Sequence, residues 1–103
     1  MILTTAYEVP GKDYEIIALV NGNTVQSKNA LKDIGAGLKS IVGGELGSYK
    51  KMISEARETV TERMTQMAEE LGADAIIGVR YGSSSIMEGA SELFAYGTAV
   101  KFK

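Results

Sequence analysis

One stretch constrains this chain more than any other. Between residues 48 and 71, Tyr49, Met52, Ile53, Ala56, Val60, Met64, Met67, Ala68 and Leu71 recur at i, i+3, i+4 and i+7. That spacing lays a single apolar stripe along an amphipathic helix. Ser48 reads as its N-cap and Gly72 as its left-handed stop. Such a helix is ~36 Å long, so whatever it packs on must be comparably long. Three segments qualify: residues 14–25 (YEIIALVNGNTV), 74–86 (DAIIGVRYGSSSI) and 91–103 (SELFAYGTAVKFK). Their β-branched and aromatic content reads as strands, each reaching ~40 Å. Pro10-Gly11 and Met87-Glu88-Gly89-Ala90 are turn signals, and residues 2–6 suggest a short edge strand.

The element order is therefore β-α-β-β. A helical crossover makes the first two long strands parallel, and a hairpin makes the third antiparallel to the second. The third then inserts between them. The expected architecture is α+β: one two-layer domain over residues 1–103, with an antiparallel sheet in the order 1-3-2 and the long helix on one face. Leu31, Ile34, Leu38 and Ile41 predict a short extra helix over residues 28–42, weakened by Gly35 and Gly37.

Alternation places Phe94, Tyr96, Val100 and Phe102 on one side of the last strand, with Leu93, Ala95, Gly97 and Ala99 on the other. In the second strand Ile77, Val79 and Tyr81 oppose Ile76. In the first, Ile16, Ala18 and Val20 oppose Ile17 and Leu19. Both sheet faces are thus apolar, and one long helix covers only one of them. An exposed apolar face of that extent marks an interface, which predicts a homo-oligomer. The alternative is that residues 28–42 close the second face within one chain.

Composition narrows the chemistry. The chain has no cysteine and no histidine, which removes disulfides, thiolate nucleophiles, the usual neutral-pH base and the commonest soft-metal ligands. No run approaches the ~18 apolar residues of a membrane span. The first residues lack a basic segment followed by an apolar run, so the expected location is the cytoplasm, with no membrane partner. Lys28, Lys32 and Lys39 share one side of the short helix, and Glu55, Glu58, Glu62 and Glu69 share one side of the long one. These are solvated faces, ion-binding patches, or surfaces that meet between subunits. A net charge of −2 and scattered lysines argue against nucleic acid.

Ser48, Tyr49, Lys50 and Lys51 open the long helix after Gly43, Gly44 and Gly47, and a helix N-terminus attracts anions. They are the candidate ligand-binding residues, although no phosphate-loop pattern is present. Asp33, Glu45 and Asp74 are the weak candidates for a metal. As carboxylates they suit hard cations. No cofactor motif and no catalytic residue are identified. Tyr49, Tyr81 and Tyr96 either line a pocket or stand as tyrosines with a bonded hydroxyl.

Asp33, Ile41-Val42-Gly43-Gly44, Tyr49, Ala56-Arg57-Glu58, the run from Leu71 to Val79 (LGADAIIGV) and Gly97-Thr98-Ala99-Val100 resemble the YbjQ-like family from about residue 2 to 101. The resemblance implies a dodecin-like β-α-β-β subunit assembled as a ring, typically a pentamer, in a functionally uncharacterised family labelled heavy-metal-binding. Members often carry acidic residues after the GADAIIGV-type strand, where this chain has Arg80-Tyr81-Gly82-Ser83-Ser84. The leading expectation is a ring-forming module that binds a small ligand or scaffolds a partner. One alternative is a metal-binding module whose carboxylate site forms only on assembly. The other is an enzyme using Tyr, Lys or Glu from adjacent subunits.

Overall fold

The computed structural model of the chain describes residues 1–27 and 45–103. Its elements are β1 (Ile2–Leu3), β2 (Tyr14–Ser27), α1 (Glu45–Glu70), β3 (Ala75–Met87) and β4 (Ala90–Phe102). The short helix predicted over residues 28–42, and Asp33 within it, lie outside the described residues.

The sheet has four strands in the order β1-β3-β4-β2. β4 sits between β2 and β3 and is antiparallel to both, so the last long strand does insert between the first two. The expected all-antiparallel three-stranded sheet needs one correction. β1 pairs parallel with β3 at Ala75 and Ile76, which makes the sheet mixed. The chain after β1 stays on that edge: the Thr4 N–H donates to Ile76 O at 3.0 Å, Gly78 N–H to Ala6 O at 2.9 Å and Val79 N–H to Thr4 O at 3.0 Å.

The helix begins at Glu45, so Ser48 falls inside the first turn and is not the N-cap. Glu45 and Leu46 favour helix, and Gly47 within the turn costs only ~1 kcal/mol. The C-terminal end is as expected. Gly72 has φ +77°, Ala73 N–H donates to Ala68 O and Gly72 N–H to Glu69 O, each at 3.0 Å. That pair of bonds satisfies helix-end carbonyls in a Schellman motif, which requires the left-handed residue at Gly72.

α1 lies on the sheet through Val60, Met64 and Ala68, all fully buried against Val20, Ile76, Val79, Ala95 and Ala99. The sheet layer beneath the helix is built of small residues. A Cβ at Gly22 would collide with the Val60 carbonyl oxygen and stand 2.8 Å from the Met64 nitrogen. The backbones of β2 and α1 therefore touch at that point. A Cβ at Gly97 would lie 2.6 Å from Ile76 Cγ2 and 3.1 Å from the Ile77 carbonyl oxygen.

Two irregularities break strict alternation. Register shifts fall between Ile16 and Ala18 in β2 and between Ile77 and Arg80 in β3. In β3 the shift is at Gly78, with φ +61°, a conformation most side chains avoid. Consequently Val79 joins Ile76 under the helix, whereas Ile77 packs on the far side with Ala75 and Val100. The predicted grouping of Ile77, Val79 and Tyr81 on one face is corrected accordingly. In β2 the shift puts Ile17 and Val20 on the helix side, and Ile16 with Leu19 on the other.

Two substitutions test this layer. Gly97→Val gains strand propensity of up to ~1 kcal/mol but overpacks a closed layer, at ~1–3 kcal/mol. Gly22→Ala presses a methyl group onto helix backbone, which cannot swing aside as a side chain can. Both are expected to lower the urea midpoint, and an unchanged midpoint at either position would refute the close packing.

Candidate functional site

The sheet face turned away from α1 is the part of the described structure that packing leaves open. Register partners share a face in an antiparallel pair. Ile16 lies opposite Val100, Leu19 opposite Thr98, Asn21 opposite Tyr96, Asn23 opposite Phe94 and Val25 opposite Glu92. At one end, Val9, Tyr14 and Phe102 pack over Ala75, Ile77 and Val100. Beyond that cover the face is bare among the described residues: Leu19 is 72% exposed, Ile16 70% and Val25 57%. β-branched and aliphatic side chains this accessible in the middle of a long strand serve no packing purpose within the described chain.

A shallow recess of about 270 Å³ on this face is lined by Asn21, Asn23, Glu92, Phe94, Ala95 and Tyr96. The Asn23 amide donates to Glu92 Oε2 at 3.1 Å. The rings of Phe94 and Tyr96 stack with centroids 6.1 Å apart and planes 27° from parallel. The recess therefore pairs an aromatic surface with an amide and a carboxylate. It can hold a flat or apolar group and bond its edge. It contains no arranged nucleophile and base. The sequence reading assigned no role to Asn21 or Asn23. The available signal was period two: residues 21 and 23 share a face, and Gly22 between them faces the helix.

The sequence-predicted site residues do not converge. Lys50 and Lys51 are exposed on α1, and Ser48 and Tyr49 occupy its first turns with side chains outside the described residues. Glu45 is the first residue of α1, and its side chain is likewise outside them. Asp74 serves the sheet: its Oδ2 accepts from the Phe102 N–H at 2.8 Å. Tyr81 has a bonded hydroxyl, 2.7 Å from Thr61 Oγ1, yet is 44% exposed and borders a groove shared with Arg57, Glu58 and Glu62. Glu55, Glu58, Glu62 and Glu69 are exposed on the outer side of α1.

Arg80 has a structural task. Its guanidinium donates to Thr5 O at 3.1 Å, to Val79 O at 2.8 Å and to the Tyr7 hydroxyl at 3.2 Å, and it lies over the Tyr7 ring at 5.6 Å. The Tyr14 hydroxyl donates to Tyr7 O at 2.7 Å. Gly78 makes room for this arm, since a Cβ there would stand 2.8 Å from Tyr7 Cε1. Arg80 and Gly78 together hold residues 4–7 against the edge of β3.

Fold and site define an α+β chain with one sheet face covered by the helix and, among the described residues, one open face. The chain belongs to the YbjQ-like family, whose description reads "Putative heavy-metal-binding" and which it matches over residues 1–103. A UPF0145 protein of Clostridium novyi is 54% identical over 101 residues, covering 98% of each chain. A UPF0145 protein of Thermotoga maritima is 53% identical, covering 100% of this chain and 98% of its own. The crystal structure of a Pediococcus pentosaceus protein of unknown function, from the DUF74 family, superposes with a TM-score of 0.71 at 19% identity, covering 100% of this chain and 98% of that one. That likeness bears on the fold alone.

The residues present do not fit a soft heavy metal. Thiolate and imidazole are the groups that select such ions, and the chain contains neither. Among the described residues no three acidic side chains are placed to share an ion. Met64 is fully buried in the core, so its thioether is out of reach. The exposed thioethers of Met1, Met67 and Met87 are neutral donors suited to Cu(I) rather than to Zn²⁺ or Cu²⁺.

Two measurements follow. Calorimetry on tag-free protein is expected to show Zn²⁺ and Cu²⁺ binding weaker than micromolar, and sub-micromolar affinity would overturn the donor argument. Arg80→Ala should release the arm, with faster hydrogen exchange at Gly78 and Val79 and a loss of ~1 kcal/mol in stability. Unchanged exchange there would remove Arg80 from that role.

Proposed function

We propose that the chain is a subunit of a cyclic homo-oligomer, a pentamer by its family resemblance, acting as a small-ligand-binding or scaffold module. The observation that carries this reading is the exposure of Leu19 and Ile16 in the first half of β2, on a face that α1 does not reach. Removing each from water contributes ~1.5–3 kcal/mol, and a second copy of the same chain is always available to do so. The Asn21–Tyr96 recess lies on the same face, so assembly would enclose it between subunits. No helix among the described residues is long and apolar enough to cross a membrane. A cytoplasmic location is proposed with this reading and is checked by cell fractionation.

Sedimentation at micromolar concentration is expected to give a discrete multiple of 11.0 kDa. Leu19→Lys should shift that mass towards the single chain while far-UV circular dichroism is retained, because its side chain makes few contacts within the subunit. A native mass of one chain, or a Leu19→Lys variant with its assembly intact, would defeat the reading.

A further inference from the structure

The edges of the sheet say more than its face. Edge strands expose unpaired N–H and C=O groups, and natural monomeric sheets blunt them with lysine, proline, shortness or inward charge. β2 is an edge strand of 14 residues whose outer side has no strand partner among the described residues. It contains no Pro and no Lys, and its single charge is Glu15. Its one irregularity, between Ile16 and Ala18, leaves Asn21–Ser27 regular.

The opposite edge is half defended. β1 and the arm that Arg80 holds cover β3 only as far as Val79. Among the described residues, β3 from Arg80 to Met87 (RYGSSSIM) pairs with β4 on one side alone. That stretch has no Pro and no Lys, and its only charge, Arg80, is turned onto Thr5 and Tyr7.

These two bare edges match. β2 and β3 are each antiparallel to β4, so they run in the same direction. They are also level: Val25 and Ser84 both lie opposite Glu92, and Asn23 and Gly82 both lie opposite Phe94. We propose that Asn21–Ser27 of β2 pairs in parallel with Arg80–Met87 of β3 in a second copy of this chain, so that the sheet continues from subunit to subunit. The contact is head-to-tail and each copy uses both edges once, the interface type that generates a ring when its rotation closes. An antiparallel β2–β2 contact would instead give a closed dimer and leave Arg80–Met87 unpaired. The inference rests on the homo-oligomer reading and specifies which backbone makes the contact.

Residue-resolved hydrogen exchange on the assembled protein, with its mass measured in the same buffer, tests it. In a bare edge strand alternate amides point outward and exchange fast. In the assembly, successive amides from Asn21 to Ser27 and from Arg80 to Met87 are all expected to be slowed at least ~100-fold, with no alternation, since each would have a ladder partner. An oligomer in which alternate amides of these stretches still exchange fast would overturn the edge pairing and leave face-mediated assembly standing. A single-chain mass would overturn both.

Cross-linking supplies a second reading without destabilising β2. The chain has no cysteine, so Val25→Cys with Ser84→Cys introduces the only two thiols. Within one chain these positions flank β4, about 9–10 Å apart, beyond disulfide reach. Mild oxidation is expected to give a covalent ladder of subunits. If the register is staggered by two residues, Thr24→Cys with Ser85→Cys or Gln26→Cys with Ser83→Cys gives it instead. Failure of all three pairs in a protein that is oligomeric by mass would count against the proposal. Dimers formed by Val25→Cys alone would point to the β2–β2 contact and refute it.

Discussion

The rest of the structure depends on the closeness of α1 to the strands beneath it. Helix backbone meets strand backbone at Gly22, and Ala95, Gly97 and Ala99 floor the contact on β4 without lifting the helix away. Because the sheet side is thin, the large core residues come from elsewhere: Val60 and Met64 from the helix, Val20, Ile76 and Val79 from the flanking strands. With the helix seated this low, bulky side chains of the central strand are left to the other side. Phe94, Tyr96, Val100 and Phe102 stand there. The open face is thus a consequence of how the covered face is packed.

Much of this was legible in the residues. The i, i+3, i+4 stripe from Tyr49 to Leu71 located the helix and Gly72 its end. The alternation separated the small face of Ala95, Gly97 and Ala99 from the aromatic face of β4, without saying which of the two meets the helix. The helical crossover and the hairpin together set the last strand in the middle. What alternation could not show is where it fails. A bulge of one residue leaves no mark in hydrophobicity, so Val79 and Ile77 were grouped together although Gly78 separates them onto opposite faces. The helix start was misplaced for a related reason. Glycines at 43, 44 and 47 look alike in sequence, yet Gly47 lies inside the helix because the residues around it form enough of the turn.

The candidate site was less legible, and the cause is physical. Its members come from two strands far apart in sequence, Asn21 and Asn23 from β2, Glu92, Phe94 and Tyr96 from β4, and only the register brings them together. Motifs that declare chemistry are local: nucleophile elbows, phosphate loops, paired ligands. A recess assembled across a ladder has no such signature. Arg80 shows the converse. Its position after the GADAIIGV segment invites a functional reading, but its guanidinium is occupied with the carbonyls of Thr5 and Val79 and the ring of Tyr7. It is a clamp on the N-terminal arm.

The placement of β4 also has a consequence for synthesis. The strand in the middle of the sheet is the last to be made. β2 and β3 have no contact through which they could pair with each other first; each pairs with β4 alone among the long strands. Without residues 90–102 the apolar stripe of the helix has half a floor and the two long flanking strands lack the partner they share. The sheet is therefore completed only once residues 90–102 are present. Until then β2, the longest strand, lacks its partner.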